Sequence, residues 1–162
     1  MSSEEKNRLV RAIAPTLKKH GFKKKGATWH RFGRDVVQTL NVQGSQWCKA
    51  FYLNLGIYIR ALGARIDPPE FECHVRIRGE KLLEDADHYH RLLDFEVDVP
   101  DEVRFREIFD FIEVHAIPWL EEFSETSRIA AAMSGRQGPR LLVAPDVYGF
   151  LGIAVVRRPK RD

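Results

Sequence analysis

Only two cysteines occur in the 162 residues, Cys48 and Cys73, and they form no CxxC pair. That leaves no material for a disulfide framework and points to two free thiols in a cytoplasmic chain. No apolar run reaches the roughly 20 residues that a membrane helix needs. The longest candidate, LLVAPDVYGFLGIAVV, is broken by Pro145 and Asp146. The opening MSSEEKNRLVR carries charges where a secretory leader would have its apolar segment, so export is not expected. Neither a G-x-S-x-G turn nor a glycine-rich phosphate loop is present, and internal repeats and low-complexity segments are missing too.

What is present is ordinary in amount and uneven in arrangement. Hydrophobic residues make up 44% and charged residues 30%, the composition of a globular domain. A chain of this length forms one domain, residues 1–162, and buries roughly two thirds of its unfolded surface. Net charge is only +3, yet residues 1–80 hold 15 Lys/Arg against 7 Asp/Glu, and residues 81–125 hold 4 against 14. The last six residues, RRPKRD, are basic again. Such a dipole orients partners at long range without specifying them, and the acidic half is foreign to a dedicated nucleic-acid binder.

The period of the apolar residues changes twice. Ser2 with Glu5 reads as a capping box, and Leu9, Val10, Ile13, Ala14 and Leu17 form the stripe of a first helix over about 3–20. Pro15 predicts a kink or break in it, and Gly21 closes it. Strands follow between about 27 and 78. ATWHRF turns at GRD into VVQTLNVQ, which places Val36, Leu40 and Val42 opposite Thr39, Asn41 and Gln43. FYLNLGIYIR places Phe51, Leu53, Leu55, Ile57 and Ile59 opposite Tyr52, Asn54, Gly56, Tyr58 and Arg60. GARIDPPE is too rich in Gly and Pro for regular structure. FECHVRIR then sets Phe71, Cys73, Val75 and Ile77 against Glu72, His74, Arg76 and Arg78.

From Asp101, a plausible N-cap, the spacing is helical through 134. Phe105, Ile108, Phe109, Ile112, Ala116, Trp119, Leu120 and Phe123 share a stripe that Pro118 interrupts. SETSRIAAAMSG reads as a short helix ended by Gly135, and residues 140–156 fit either a helix or an extended element. The fold class is α+β: an antiparallel meander of about four strands, with an N-terminal helix and C-terminal helices on its apolar face.

The blocks GFKKKGATWHR, NVQGSQW, FYLNLGIY and CHVRIR, in that order across roughly residues 9–80, resemble the bacterial family called domain of unknown function 4304. Members typically show NLQKS where this chain has NVQGS. The resemblance implies a small α+β protein and carries over no catalytic residue.

The polar side of the meander is the candidate site. Asn41, Gln43, Tyr52, Asn54, Tyr58, His74, Arg76 and Arg78 alternate onto one face, and Arg31 of the first strand is counted with them. Guanidinium groups supply forked donors for carboxylate or phosphate, and aromatic rings supply stacking surfaces. The bland alternative is a solvated sheet face. A second candidate is the run Lys18, Lys19, Lys23, Lys24 and Lys25, which would give strongly salt-dependent phosphate contacts, or else is a set of solvated lysines at a helix end. In EDADHYH, Asp85, Asp87, His88 and His90 form a solvated turn, because HxH without a second spaced pair is a poor metal signature. Cys73 is placed on the apolar face as a buried, inert thiol. Glu113 and His115 flank the helical stripe, His115 as a partly buried core residue. No catalytic residue, metal or cofactor is therefore expected.

The functional expectation is a cytoplasmic, non-enzymatic binding module whose sheet face meets a protein partner, in the manner of an immunity or antitoxin factor. The acidic 81–125 segment would be a second recognition surface. Nucleic-acid binding through the same face and the lysine run is the alternative. A small hydrolase or transferase acting on a phosphorylated ligand is the third reading. No membrane association is expected.

Overall fold

The computed structural model describes residues 3–135 and 138–155. Ser2, Val156 and the basic RRPKRD tail, all used above, lie outside them.

The first helix, α1, spans Glu4–Lys19. Its N-cap is Ser3, one residue later than expected: the Ser3 hydroxyl accepts the Lys6 backbone N–H at 3.1 Å. Glu4 and Glu5 sit in the first turn and Lys18 and Lys19 in the last, each favourable to the helix dipole. The helix runs through Pro15 without the expected break. The proline removes one backbone bond, and the buried stripe Leu9, Val10, Ile13 and Leu17 holds the rest in place. Gly21, at φ +85°, ends it.

Six strands follow in sequence order, every neighbouring pair antiparallel. They are β1 (Lys23–Lys25), β2 (Thr28–Phe32), β3 (Val36–Gly44), β4 (Phe51–Ile59), β5 (Val75–Arg78) and β6 (Leu142–Val143). The expected count of about four misses the two edges. A lysine triplet has no apolar alternation to betray it, and β6 is two residues long.

The helical half contains α2 (Asp87–Leu93), α3 (Asp101–Phe111), α4 (Ile117–Glu122), α5 (Thr126–Met133) and α6 (Pro145–Leu151). EDADHYH is solvated as expected, with Asp85, Asp87, His88 and His90 exposed, but it opens a helix instead of forming only a turn. Asp87 opens α2, and Tyr89, Leu92 and Leu93 are buried. Pro100, not Asp101, caps α3, and Asp101 instead pairs with Arg8 across to α1. Between α3 and α4, residues 112–116 form a π-helical turn. Pro118 has no N–H to give an α-helical carbonyl and its ring crowds residue 114, so the ladder widens just before it. Phe109 falls off the expected stripe and is exposed, while Ile108, Ile112, Ala116 and Leu120 are buried.

The core is one face of the sheet. Val36, Leu40 and Val42 of β3, the alternating Leu53, Leu55, Ile57 and Ile59 of β4, and Val75 and Ile77 of β5 pack against α1, α3 and α4. Polar side chains are buried in this layer too, Gln38 of β3 and Arg104 of α3 among them. Gln38 accepts from Arg31 Nε at 2.7 Å and donates to the Leu120 carbonyl. Arg104 is buried with its guanidinium donating to the carbonyls of Leu92, Asp94 and Val97, which ties the α2–α3 connection to α3. Burial lowers its affinity for the proton, and these carbonyls supply the compensation that a buried charge requires.

Candidate functional site

The second face of the sheet has two halves, because the chain between β4 and β5 folds back over one of them. Residues 63–74, which begin with GARIDPPE, cross this face. The His30 ring donates from Nε2 to the Pro68 carbonyl at 2.8 Å. The Arg65 backbone N–H donates to the Tyr58 hydroxyl at 3.1 Å. Lys25 pairs with Asp67 at 3.0 Å, and Arg65 grips Glu72 through two 2.8 Å bonds. Beneath the segment, Val37, Tyr58 and Cys73 form a second, smaller apolar cluster.

Glycine makes this second layer possible. A Cβ at Gly56 would lie 2.7 Å from Cys73 Sγ and 2.7 Å from Thr39 Oγ1, and one at Gly63 would overlap the Tyr58 hydroxyl. Cys73 is therefore on the second face, not the apolar face where alternation had put it. The residues before Val75 form a tight turn, Glu70–Glu72, so strand alternation does not extend back through them. Phe71, expected inside, is 70% exposed for the same reason. The thiol is buried as anticipated, and that burial pushes its pKa up to about 12, with the Thr39 hydroxyl opposing.

Three of the predicted site residues lie in this covered half. Tyr58 is buried and stacks obliquely on His74, ring centres 4.6 Å apart. His74 is buried as well. Its Nδ1 accepts the Ile59 backbone N–H at 2.9 Å, and the ring also bonds the Leu62 backbone. Burial lowers the His74 pKa, opposed by the Asp146 carboxylate. Arg76 is held by Glu70, Nε to Oε1 at 2.8 Å and Nη2 to Oε2 at 3.1 Å.

Five others form the open half. In register, Asn41 faces Asn54 and Gln43 faces Tyr52 across β3 and β4, and Asn54 faces Arg78 across β4 and β5. Asn54 is buried and donates to Gln43 Oε1 at 2.9 Å, and Asn41 donates to Thr28 Oγ1 at 2.9 Å. The Arg78 guanidinium lies over the Tyr52 ring, 5.1 Å from its centre, with Glu80 at 3.9 Å. At the tip of the β3–β4 hairpin stands Trp47, 92% exposed.

Arg31 does not belong to the site. Trp29 pairs with Leu40 and Arg31 with Gln38, so both face the helices. Arg31 bonds Glu121 at 2.9 Å and covers Phe22. The lysine run is likewise split. Lys23 and Lys25 pair with His30 and Thr28 on the second face, Lys24 with Trp29 on the other, and Lys18 and Lys19 belong to α1. Lys19 lies 3.7 Å from Glu113. That carboxylate also accepts the Thr16 hydroxyl at 2.5 Å and binds His20 at 2.9 Å, contacts that lower its pKa.

Glu70, Gly56 and Trp47 were not singled out from sequence. Glu70 follows two prolines with no periodicity to place it. A glycine inside an otherwise unbroken strand was the one available sign of a close approach. Among the described residues no group of three or more His, Cys, Asp or Glu side chains is arranged to hold a metal ion. No described helix is long and apolar enough to cross a membrane.

Residues 13–122 match the family model described as Domain of unknown function (DUF4304). Neither a curated protein nor a solved structure matches the chain. The matched span runs from the middle of α1 through α4, and so includes both halves of the second face but not β6, α5 or α6.

Proposed function

We propose that this chain, which belongs to the domain of unknown function 4304 family, is a non-enzymatic protein-binding module that docks its partner on the open half of the second sheet face. The observation that carries the proposal is Trp47. Its loop is ordered by the Ser45 N–H on the Ala50 carbonyl at 2.8 Å and the Trp47 N–H on Ser45 Oγ at 3.1 Å, while its side chain is 92% exposed. An exposed tryptophan on a hydrogen-bonded hairpin tip is of a residue type that dominates protein interfaces, and so are Tyr52 and Arg78 of the open half. An immunity or antitoxin-like role suits such a module, with the acidic 81–125 segment as a second surface for a basic partner.

Nucleic-acid binding ranks lower because several of the cations it would use already have carboxylate partners. Lys25 is paired with Asp67, Arg76 with Glu70, Lys19 with Glu113 and Arg31 with Glu121. A phosphate at these side chains would compete with a carboxylate already in place. The hydrolase or transferase reading loses its base, since both sides of the His74 ring are occupied by backbone.

The test is affinity capture from native-host lysate, with and without nuclease, using the natural chain beside Trp47→Ser/Arg78→Ala. The captured protein is identified, and its affinity for the purified chain is measured. The proposal expects a nuclease-resistant partner whose affinity falls by about 30-fold or more in the variant, the loss of one interface anchor. Nucleic acid recovered in its place, with affinity falling steeply in salt, would install the alternative. Equal capture by both baits would refute both.

A further inference from the structure

Beside the covered half lies a cleft of about 650 Å³, between the β5–β6 edge, the crossing segment at Phe71, and helices α5 and α6. Pockets of this size accept small molecules. Its wall is mainly apolar, with Phe71, Met133, Leu141, Leu142 and Tyr148 contributing, and among the described residues Arg76 is the one charged residue that lines it. Phe71 and Leu142 are 70% and 46% exposed, so the apolar wall is open to a visitor.

Arg76 is prepared for one kind of visitor. Glu70, whose side chain is only 8% exposed, takes the side-on edge of the guanidinium, formed by Nε and one N–H of Nη2. The end-on edge, formed by Nη1 and the other N–H of Nη2, has no partner among the described residues. A guanidinium fixed in its plane by a buried carboxylate keeps a second fork of donors for another planar anion. Because Glu70 already answers the charge, the site suits a monoanion. A phosphate dianion would need further cations, and the described lining residues supply none.

We propose that this cleft binds a monocarboxylate with an apolar body, the carboxylate on the end-on edge of Arg76 and the body against Phe71, Met133, Leu142 and Tyr148. The apolar wall supplies most of the affinity and the guanidinium supplies orientation and selectivity. The cleft joins the family-matched sheet to the elements beyond residue 122, so the site draws on residues inside and outside the matched span. It shares no residue with Trp47 and Arg78, and stands or falls apart from the docking proposal.

The probes are octanoate and 1-octanol, titrated into the ¹⁵N-labelled full chain and followed by amide chemical shifts. Octanoate should give saturable shifts at residues 71–76 and 141–148, with octanol at least about tenfold weaker. Leu142→Trp, which fills the cleft from the position paired with Arg76 across β5 and β6, should abolish the shifts. The pair variant Glu70→Gln/Arg76→Gln removes both charges together, leaves no orphaned buried carboxylate, and should abolish the preference for octanoate. Equal binding of the two probes, shifts that do not saturate or fall elsewhere, or binding retained in Leu142→Trp would overturn the proposal.

Discussion

Replacing Gly56 by alanine probes whether residues 63–74 truly form a second layer on the sheet. The added methyl would sit 2.7 Å from Cys73 Sγ, 2.7 Å from Thr39 Oγ1 and 2.8 Å from Cys73 Cβ, all of them inside contact distance. Thr39 is fully buried and Cys73 is buried at the margin of the cleft, so the overlap is relieved only if one of these packed side chains shifts. Overpacking of this kind costs about 1–3 kcal/mol. Alanine also restricts the unfolded chain, which offsets about 0.4–1 kcal/mol. The net expectation is a loss of about 1–2 kcal/mol, read as a lower urea midpoint at unchanged m, or a melting temperature lower by about 2–8 °C. The companion variant is Cys73→Ala, which removes the sulfur half of the overlap. It should cost distinctly less in the Gly56→Ala background than alone, a coupling of about 1 kcal/mol. Additive effects, or a Gly56→Ala loss within about 0.5 kcal/mol, would mean that the segment does not press on the sheet at this point.

Two further outcomes follow from the same layer. Burial holds the folded His74 pKa below its ordinary value, so between the two values the unfolded chain binds more protons. His74 therefore contributes its full stability above about pH 6.5, and loses it as pH falls through the lowered folded value. Urea unfolding of the natural chain and His74→Gln, compared between about pH 7.5 and 5, should converge toward acid, and parallel curves would refute this assignment. The two thiols should also separate cleanly, because Cys48 is exposed and Cys73 is buried with its pKa pushed up to about 12. An aromatic disulfide reagent should titrate one thiol per native chain at once and the second only in denaturant; two fast thiols would show that the layer opens.

Strict alternation in FYLNLGIYI was enough to place β4, its buried side and its meander neighbours. Leu53, Leu55, Ile57 and Ile59 can all be buried only if Tyr52, Asn54 and Tyr58 point the other way, because side chains alternate across a pleated strand. The stripe of Leu9, Ile13 and Leu17 likewise required a helix, and the blocks around NVQGSQW sufficed for the family. None of this could say what lies over the other side of the sheet. Residues 63–74 have no period, and their course depends on contacts distant in sequence: His30 with Pro68, Lys25 with Asp67, and Arg76 with Glu70. Those contacts divide a face that looked uniform into a second core around Tyr58, Cys73 and His74 and an open patch around Tyr52, Asn54 and Arg78. Arg31 went to the helical side because pairing with Gln38, which alternation in a single strand leaves free, fixed its register. Local periodicity determines which way a side chain points relative to its neighbours in the chain, whereas only the tertiary structure decides whether water or another segment meets it there.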